Sequence, residues 1–339
     1  MVRHSAIKWR NIYYMLTYAI DELGFMQLGD IETEDCGSLD NLLASIMCRA
    51  MELLERNDYL REYTKKQDII DKYRGTLDIQ KTFGTNAHME SKLCCNYFEL
   101  NNDNIYNQII KKALSMLNTR GSKISLDRHI IIKRHLEELS EISEVEIDNV
   151  NLGELDYSAL QSWYRTAISA SKLVIEQLLG MDKEGNYLLL ELSDDERLNY
   201  IFEKFVREFL QLEYDKAETT NTVYNTESGR KMLDILMECR TKALIIDTKW
   251  YSKTSHNKQS NNRELLDYGE TYSSLERGNR TLNCLILYAK TEEEIRLARP
   301  NTRFAGEEKE FTIYECIIDL NQEFDKIKKD LIEIVEKYL

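Results

Sequence analysis

Hydrophobic positions along this chain follow two spacings, one typical of amphipathic helices and one typical of short strands. Between Trp9 and Leu23 apolar side chains recur on one face of a helix. The same spacing predicts helices at Leu39–Tyr59, Asn104–Leu117, Asp156–Leu179, Arg263–Leu275 and Gln322–Tyr338. Short apolar runs predict strands at Gln67–Phe83, Leu93–Leu100, Thr219–Tyr224, Met232–Met237, Ala243–Trp250, Leu282–Tyr288 and Phe311–Asp319. Within the first of these, Arg74 and Gly75 predict a turn or bulge. Elements interleaved in this way predict a mixed α/β fold.

The second half of the chain opens with a helix whose start is marked in the sequence. Ser193–Glu196 is a capping box, and an apolar stripe follows over Leu198–Leu210. The stretch Glu137–Glu154 is acidic, and we expect a surface connection there. We therefore divide the chain into an N-terminal α+β domain, residues 1–155, and a C-terminal domain, residues 156–339.

Two neighbouring predicted strands, Met232–Met237 and Ala243–Trp250, each carry an acidic residue among aliphatic ones. Because strand side chains alternate between faces, Asp247 and Lys249 point the same way. If the two strands pair, Asp234 lies beside them, and two carboxylates and an ammonium converge. Such a group binds a divalent cation and activates water for phosphodiester hydrolysis.

The spacing alone leaves a second interpretation equally open, in which both acids merely end strands and the lysine is solvated. The Leu-Asp-Ile sequence that contains Asp234 also occurs at Leu77–Ile79. The strand predicted after that repeat ends in Glu99 and offers no acid-x-Lys triplet. We therefore interpret Asp78 as a structural residue or as part of an interaction loop.

Composition and charge narrow the classes of function. The chain has 339 residues and a net charge of −14, so it does not coat DNA by itself, because non-specific DNA affinity comes mainly from Lys and Arg. Seven cysteines without Cys-x-x-Cys spacing indicate reduced thiols in a cytoplasmic protein. We expect neither a membrane span nor a signal peptide. No Gly-x-x-x-x-Gly-Lys-Ser/Thr motif occurs, so we expect no GTP site in this chain.

The acidic pair and the lysine resemble the PD-(D/E)xK nuclease superfamily. Leu233 replaces the usual proline of the first element, a position that supplies no group for catalysis. The resemblance implies that Asp234 and Asp247 bind Mg²⁺, with the backbone carbonyl of Thr248 as a further ligand. It also implies that Lys249 orients the attacking water or stabilises charge in the transition state.

Three further residues have candidate roles through the same resemblance. Glu203 lies on the first core helix, where many of these nucleases place a metal-binding Glu; an i, i+4 ion pair with Arg207 is the equally open alternative. Related enzymes often carry Gln-x-x-x-Tyr on the next helix, matched here by Glu264 and Tyr268. Tyr268 could contact phosphate or support Lys249, although a packed core tyrosine is the simpler interpretation. The acidic Glu264 leaves the role of that Gln in doubt.

A narrower resemblance covers almost the whole chain. It is to the McrC family, the nuclease subunits of McrBC modification-dependent restriction systems, and it rests on the order of Asn11–Ala19, Tyr73–Ile79, Asn107–Leu114 and Phe202–Val206. It implies a C-terminal domain that cuts DNA and an N-terminal domain that docks on McrB, a GTP-hydrolysing AAA+ ring, and stimulates its GTPase. McrB would recognise the modified cytosine, such as 5-methylcytosine, which fits the acidic charge of this chain. A dimer is expected, since cutting both strands needs two active sites.

Two other functions remain open. One is a non-catalytic adaptor of the AAA+ ring whose nuclease site has decayed; Leu233 and Glu264 favour it, and the intact Asp234, Asp247 and Lys249 oppose it. The other is a stand-alone nuclease, which the large N-terminal half and the acidic charge oppose. Arg74, beside Gly75, could reach a partner's active site or could simply be a turn residue.

Overall fold

The computed structural model describes residues 7–19, 36–120, 123–146, 160–179, 194–220, 223–226, 229–250, 255–275, 280–289, 301–305 and 309–339. Its contacts define two compact units. The larger unit contains the described residues of 1–26, 32–42 and 176–339, and the smaller unit those of 27–31 and 43–175.

The helices and strands follow one another along the described chain as α1 (Trp9–Ala19), α2 (Leu39–Glu55), β1 (Glu62–Ile70), β2 (Thr76–Leu77), α3 (Ile79–Gly84), a 3₁₀ turn (Ala87–Glu90), β3 (Leu93–Asn101), α4 (Ile105–Thr119), α5 (Leu126–Glu138), α6 (Ser162–Leu179), α7 (Asp194–Glu213), β4 (Glu218–Thr220), β5 (Val223–Thr226), β6 (Gly229–Met232), β7 (Ile235–Glu238), β8 (Lys242–Lys249), α8 (Ser255–Leu275), β9 (Thr281–Ala289), β10 (Asn301–Ala305), β11 (Lys309–Ile318) and α9 (Phe324–Tyr338). This mixture of helices and sheets confirms the predicted α/β class.

A six-stranded mixed sheet forms the centre of the larger unit, in the order β10-β11-β9-β8-β7-β4. Strands β8, β9 and β11 run parallel, whereas β4, β7 and β10 pair antiparallel with their neighbours. Helix α8 packs on one face, against buried side chains of β8, β9 and β11. Leu244 and Ile246, which point to the opposite face of β8, are buried as well. A strand covered on both faces should be apolar throughout, so the acid at Asp247 is an exception.

The smaller unit combines a three-stranded antiparallel sheet, in the order β1-β3-β2, with helices. Gly75 precedes β2 with a φ of +68°, a left-handed conformation that favours glycine. The guanidinium of Arg74 lies 4.2 Å from the ring centre of Tyr97, and its Nη1 is 3.2 Å from Glu99 Oε1. Arg74 is therefore held against the sheet by its neighbours, as expected of a turn residue.

The prediction at Gln67–Phe83 is correct for the turn at Gly75 and for strand at Thr76–Leu77, and it is wrong from Ile79 onward. Strand β1 ends at Ile70, and a helix begins at Ile79. Asp78 causes this change, because its Oδ1 accepts a hydrogen bond from the Lys81 N–H at 2.9 Å and caps the helix. The structural interpretation of Asp78 is thereby confirmed.

The predicted strand Met232–Met237 is also interrupted. Strand β6 ends at Met232 and β7 begins at Ile235, so Asp234 occupies a bend between them. Helix α5 was missed, and its last residues overlap the start of the acidic stretch Glu137–Glu154. Strand β10 was missed too, while Ser193 of the capping box lies outside the described residues.

The predicted boundary between residues 155 and 156, and the roles assigned to the two domains, stay predictions. The compact units divide the chain elsewhere, because α1 packs against α7 within the larger unit. Asn11 of α1 is buried there, and its side-chain amide donates to the backbone carbonyls of Leu320 and Gln322 at 2.6 and 2.9 Å. In the described part of the chain, no helix has the length and hydropathy needed to cross a membrane.

Candidate active site

The pairing of β7 with β8 places the two candidate acids next to each other. Ile235 pairs with Ile246 at the end of this ladder, and Asp234 and Asp247 are the next residues beyond that pair. The Thr248 N–H donates to Asp234 Oδ2 at 3.0 Å, which holds the bend carrying Asp234 against the end of β8. The convergence of these two carboxylates is therefore a feature of the sheet itself.

Asp247 is deeply buried and only partly satisfied by hydrogen bonds. Its side chain is on the α8 face of the sheet, and the residue is 3% exposed. Lys249 Nζ donates to Asp247 Oδ1 at 2.8 Å. Asp247 Oδ2 is buried and has no hydrogen-bond partner among the described residues. A buried carboxylate oxygen left in this state is costly unless a positive charge lies beside it.

The electrostatics of the site point to a shortage of positive charge. Burial, followed by the charge of Asp234, raises the pKa of Asp247 well above its usual value, although Lys249 opposes this rise. Burial acts to lower the pKa of Lys249, but the charges of Asp247 and Asp234 outweigh it, and the pKa of Lys249 is raised. The lysine is therefore positively charged, and two carboxylates share its single charge.

Helix α8 brings a third carboxylate to the site. Glu264 Oε2 lies 3.9 Å from Lys249 Nζ, and the Tyr268 hydroxyl donates to Glu264 Oε1 at 3.4 Å. Burial, followed by the charge of Glu264, raises the pKa of the buried Tyr268, so its hydroxyl stays protonated and can donate. Gly269 lets the helix lie close to β11, because a Cβ there would be 2.6 Å from the ring of Phe311.

Glu203 has the contact expected from the alternative interpretation. Its Oε1 lies 3.4 Å from Arg207 Nη1, one helical turn along α7. The carboxylate that acts on the pKa of Asp247 together with Asp234 is Glu264. A metal-binding role for Glu203 stays a prediction.

Asn199, one turn before Glu203 on α7, contacts the end of β8 and was not predicted from the sequence. Its Oδ1 accepts a hydrogen bond from the Trp250 N–H at 2.8 Å, directly after Lys249. Phe202 of the same helix makes an edge contact with the Trp250 ring. Helix α7 thereby fixes the end of the strand that carries the candidate site. The only signal in the sequence is a polar residue beside an apolar stripe, which is too common to single out.

The residues present fit a hard divalent cation such as Mg²⁺. Such ions prefer oxygen ligands, and one or two carboxylates suffice when water completes the shell. Asp234 and Asp247 offer those oxygens, and the unpartnered Oδ2 of Asp247 supplies a reason for a cation to bind there. Thr248 directly follows Asp247, and its backbone N–H binds Asp234, so its carbonyl stays a candidate ligand.

A second cluster of possible metal ligands lies in the smaller unit. Glu55, His135 and Glu138 each offer one atom, and these atoms lie within 4.8 Å of one another. Arg134 Nη2 donates to Glu55 Oε1 at 2.5 Å, and the Tyr59 hydroxyl donates to Glu138 Oε2 at 3.3 Å. The carboxylates are thus already paired with a guanidinium and a hydroxyl. We interpret the cluster as a structural network that joins α2 to α5.

Residues 2–276 match the family described as McrBC 5-methylcytosine restriction system component. The chain belongs to this family. That membership confirms the resemblance that the four segments indicated in the sequence. The candidate site therefore lies in a restriction-system component.

Two known proteins show how far the similarity extends. The chain is 23% identical to the type IV methyl-directed restriction enzyme EcoKMcrBC of Escherichia coli strain K12, over all of both sequences. Its fold matches a chain in the refined half-complex of Thermococcus gammatolerans McrB AAA+ hexamers with bound McrC. The TM-score is 0.55 at 13% identity, over 96% of this chain and 75% of that chain. At this identity the structural match supports the fold alone.

Proposed function

We propose that this chain is the DNA endonuclease subunit of a GTP-dependent, modification-dependent restriction complex. The observation that carries the proposal is the buried Asp247, with an unpartnered oxygen, a lysine at 2.8 Å and Asp234 alongside. Burying Asp247 in a central strand beside a second carboxylate destabilises a fold, so a purely structural origin does not explain the arrangement. Membership of the McrBC family supplies the class of substrate, DNA that contains modified cytosine.

The proposed mechanism assigns a role to each residue of the site. Asp234 and Asp247 would hold Mg²⁺, with the Thr248 carbonyl as a further ligand. When bound, the ion supplies polarisation of the scissile phosphate and a lower pKa of its bound water. Lys249 would stabilise the negative charge that develops on the phosphate. Tyr268 would act indirectly, because its hydroxyl donates to Glu264 rather than to Asp234 or Asp247.

We further propose that the partner is a McrB-type AAA+ GTPase ring. The solved structure that shares this fold contains McrB AAA+ hexamers with bound McrC. The N-terminal domain would dock on the ring and stimulate its GTPase, while the ring would provide most of the recognition of modified cytosine. This division accounts for a net charge of −14 in a protein that acts on DNA. We expect two copies in the active complex and a cytoplasmic location.

A cleavage assay that includes the partner tests the proposal. The purified chain is mixed with its cognate GTPase, methylated DNA, GTP and Mg²⁺, and wild type is compared with Asp247→Ala. Cleavage by wild type only, with GTP hydrolysis stimulated equally by both, supports the nuclease subunit. Stimulation by both without cleavage by either supports the non-catalytic adaptor instead.

A further inference from the structure

We propose that Glu264 is a positioning residue that receives the ammonium of Lys249 when a divalent cation binds at Asp247. The inference rests on the proposed nuclease function and extends it to a residue whose role the sequence left in doubt. The carboxylate of Asp247 would bind Lys249 first and the metal ion afterwards.

Two carboxylate acceptors lie near the Lys249 ammonium. Its Nζ donates to Asp247 Oδ1 at 2.8 Å and lies 3.9 Å from Glu264 Oε2. Charge-assisted hydrogen bonds are about 2.8 Å long, so a shift of roughly 1 Å would exchange one acceptor for the other. The lysine side chain is 14% exposed, so it stays within the site during such a shift.

Cation binding favours this exchange. In the structure the ammonium occupies one oxygen of the carboxylate that a cation would use. An ammonium and a divalent ion at the same carboxylate repel each other strongly in a poorly solvated site. This repulsion favours a movement of Lys249 away from the cation, to a position still close enough to act on the phosphate. Glu264 offers a second negative charge, 3.9 Å from the Lys249 ammonium.

Tyr268 prepares Glu264 for this role. Its hydroxyl donates to Oε1, which leaves Oε2 as the oxygen that faces Lys249. Tyr268 is 3% exposed and belongs to the apolar cluster between α8 and the sheet, so the position of its ring is fixed by packing. The pair lies one turn apart on α8, and the rigid helix sets the distance from Glu264 to β8.

A double-mutant cycle on cation binding tests the inference. Mn²⁺ is titrated into the full-length protein without DNA, and free Mn²⁺ is followed by electron paramagnetic resonance. Four proteins are compared: wild type, Glu264→Gln, Lys249→Met and the double variant. We expect Glu264→Gln to weaken Mn²⁺ binding about 10-fold, a typical coupling between contacting residues, because Lys249 then stays on Asp247. In the Lys249→Met background the same change should alter binding less than about 2-fold.

Tyr268→Phe provides a second variant that removes a single hydroxyl. It should weaken Mn²⁺ binding when Lys249 is present and leave it unchanged when position 249 is Met. Thermal unfolding of each variant shows that the fold is retained. If Lys249→Met fails to fold, Lys249→Gln replaces it in the cycle.

The contrary outcomes separate a failure of the positioning role from a failure of the nuclease site. Equal weakening by Glu264→Gln in both backgrounds would make Glu264 a direct metal ligand and overturn the positioning role. No weakening in either background would overturn it as well. If wild type binds no Mn²⁺, or Asp247→Ala binds it equally well, the proposed nuclease site itself fails, whatever Glu264 does.

Discussion

Single residues of the site are placed where they lower the stability of the metal-free protein. Asp247 is buried beside a second carboxylate, and one lysine supplies the nearby positive charge. Leu233 occupies the position of the missing proline and is fully buried in the cluster beneath α8. That leucine therefore anchors the bend before β7 by packing, where proline would restrict its backbone. The departure from the superfamily pattern leaves the placement of Asp234 intact.

A cation should consequently stabilise the fold through Asp247. Mg²⁺ or Ca²⁺ is expected to raise the thermal unfolding midpoint of wild type. At a cation concentration of 100 times the dissociation constant, the free energy of unfolding should increase by about 2.7 kcal/mol. Asp247→Ala should abolish the increase, because it removes the buried ligand. Differential scanning fluorimetry measures both. The control is Glu137→Ala, which removes an exposed acid of α5 and should retain the full increase. A similar increase in the Asp247 variant would contradict the assignment.

Gly75 offers a test of the turn before β2. Gly75→Ala should destabilise the protein, because φ is +68° and the new Cβ would overlap the Asn96 carbonyl oxygen and lie 2.8 Å from the Tyr97 Cβ. Gly37→Ala is the matched control, with a φ of +63° and open space around it. The control should cost about 1–2 kcal/mol for the left-handed conformation alone, and Gly75→Ala clearly more. Urea unfolding compares them; equal losses would mean that the contact with β3 is unimportant.

At the scale of elements, periodicity predicts long elements well and fails where one polar side chain redirects the backbone. Helices α2 and α4 and strands β8 and β9 appear close to where apolar spacing places them. Asp78 converts a predicted strand into the helix α3 by capping it, which apolar spacing does not reveal. The acidic pair was predictable because an acid in an apolar strand is rare. The contributions of Asn199 and Glu264 depend on how α7 and α8 pack against the sheet, and the sequence carries no comparable signal.

The hold of α7 on β8 yields a test at this scale. Asn199→Leu removes the acceptor for the Trp250 N–H and leaves that group unsatisfied, a loss of about 1–3 kcal/mol that loosens the end of β8. We expect single-turnover DNA cleavage to fall about tenfold while GTPase stimulation is retained, since a displacement of catalytic groups slows chemistry. Asn199→Asp keeps an oxygen acceptor and should cleave faster than the leucine variant. Equal rates for the two variants would rule out positioning through this bond.

On the scale of the whole molecule, the chain has a candidate active site around the buried Asp247 and an exposed apolar surface on the three-stranded sheet. Tyr63, Phe98 and Leu100 point to one face of the three-stranded sheet of the smaller unit and are 71%, 64% and 45% exposed. Exposed apolar side chains that cluster on one face are typical of a surface that binds another protein. The candidate site in the larger unit has the opposite character, since its central acid, Asp247, is buried. The two proposed activities should therefore be separable by mutation.

Changing the sheet face should remove both activities, whereas changing the site removes one. Tyr63→Ser with Phe98→Ser should abolish stimulation of the partner GTPase and also abolish cleavage, because the nuclease would no longer be held on its ring. Asp247→Ala should lose cleavage alone. The control is Leu126→Ser on α5. Leu126 is 72% exposed, about as much as Tyr63, and its replacement should keep both activities. GTP turnover and DNA cleavage are measured in the same reactions. Normal stimulation by the double variant would place the docking surface on another part of the chain and leave the nuclease site unaffected.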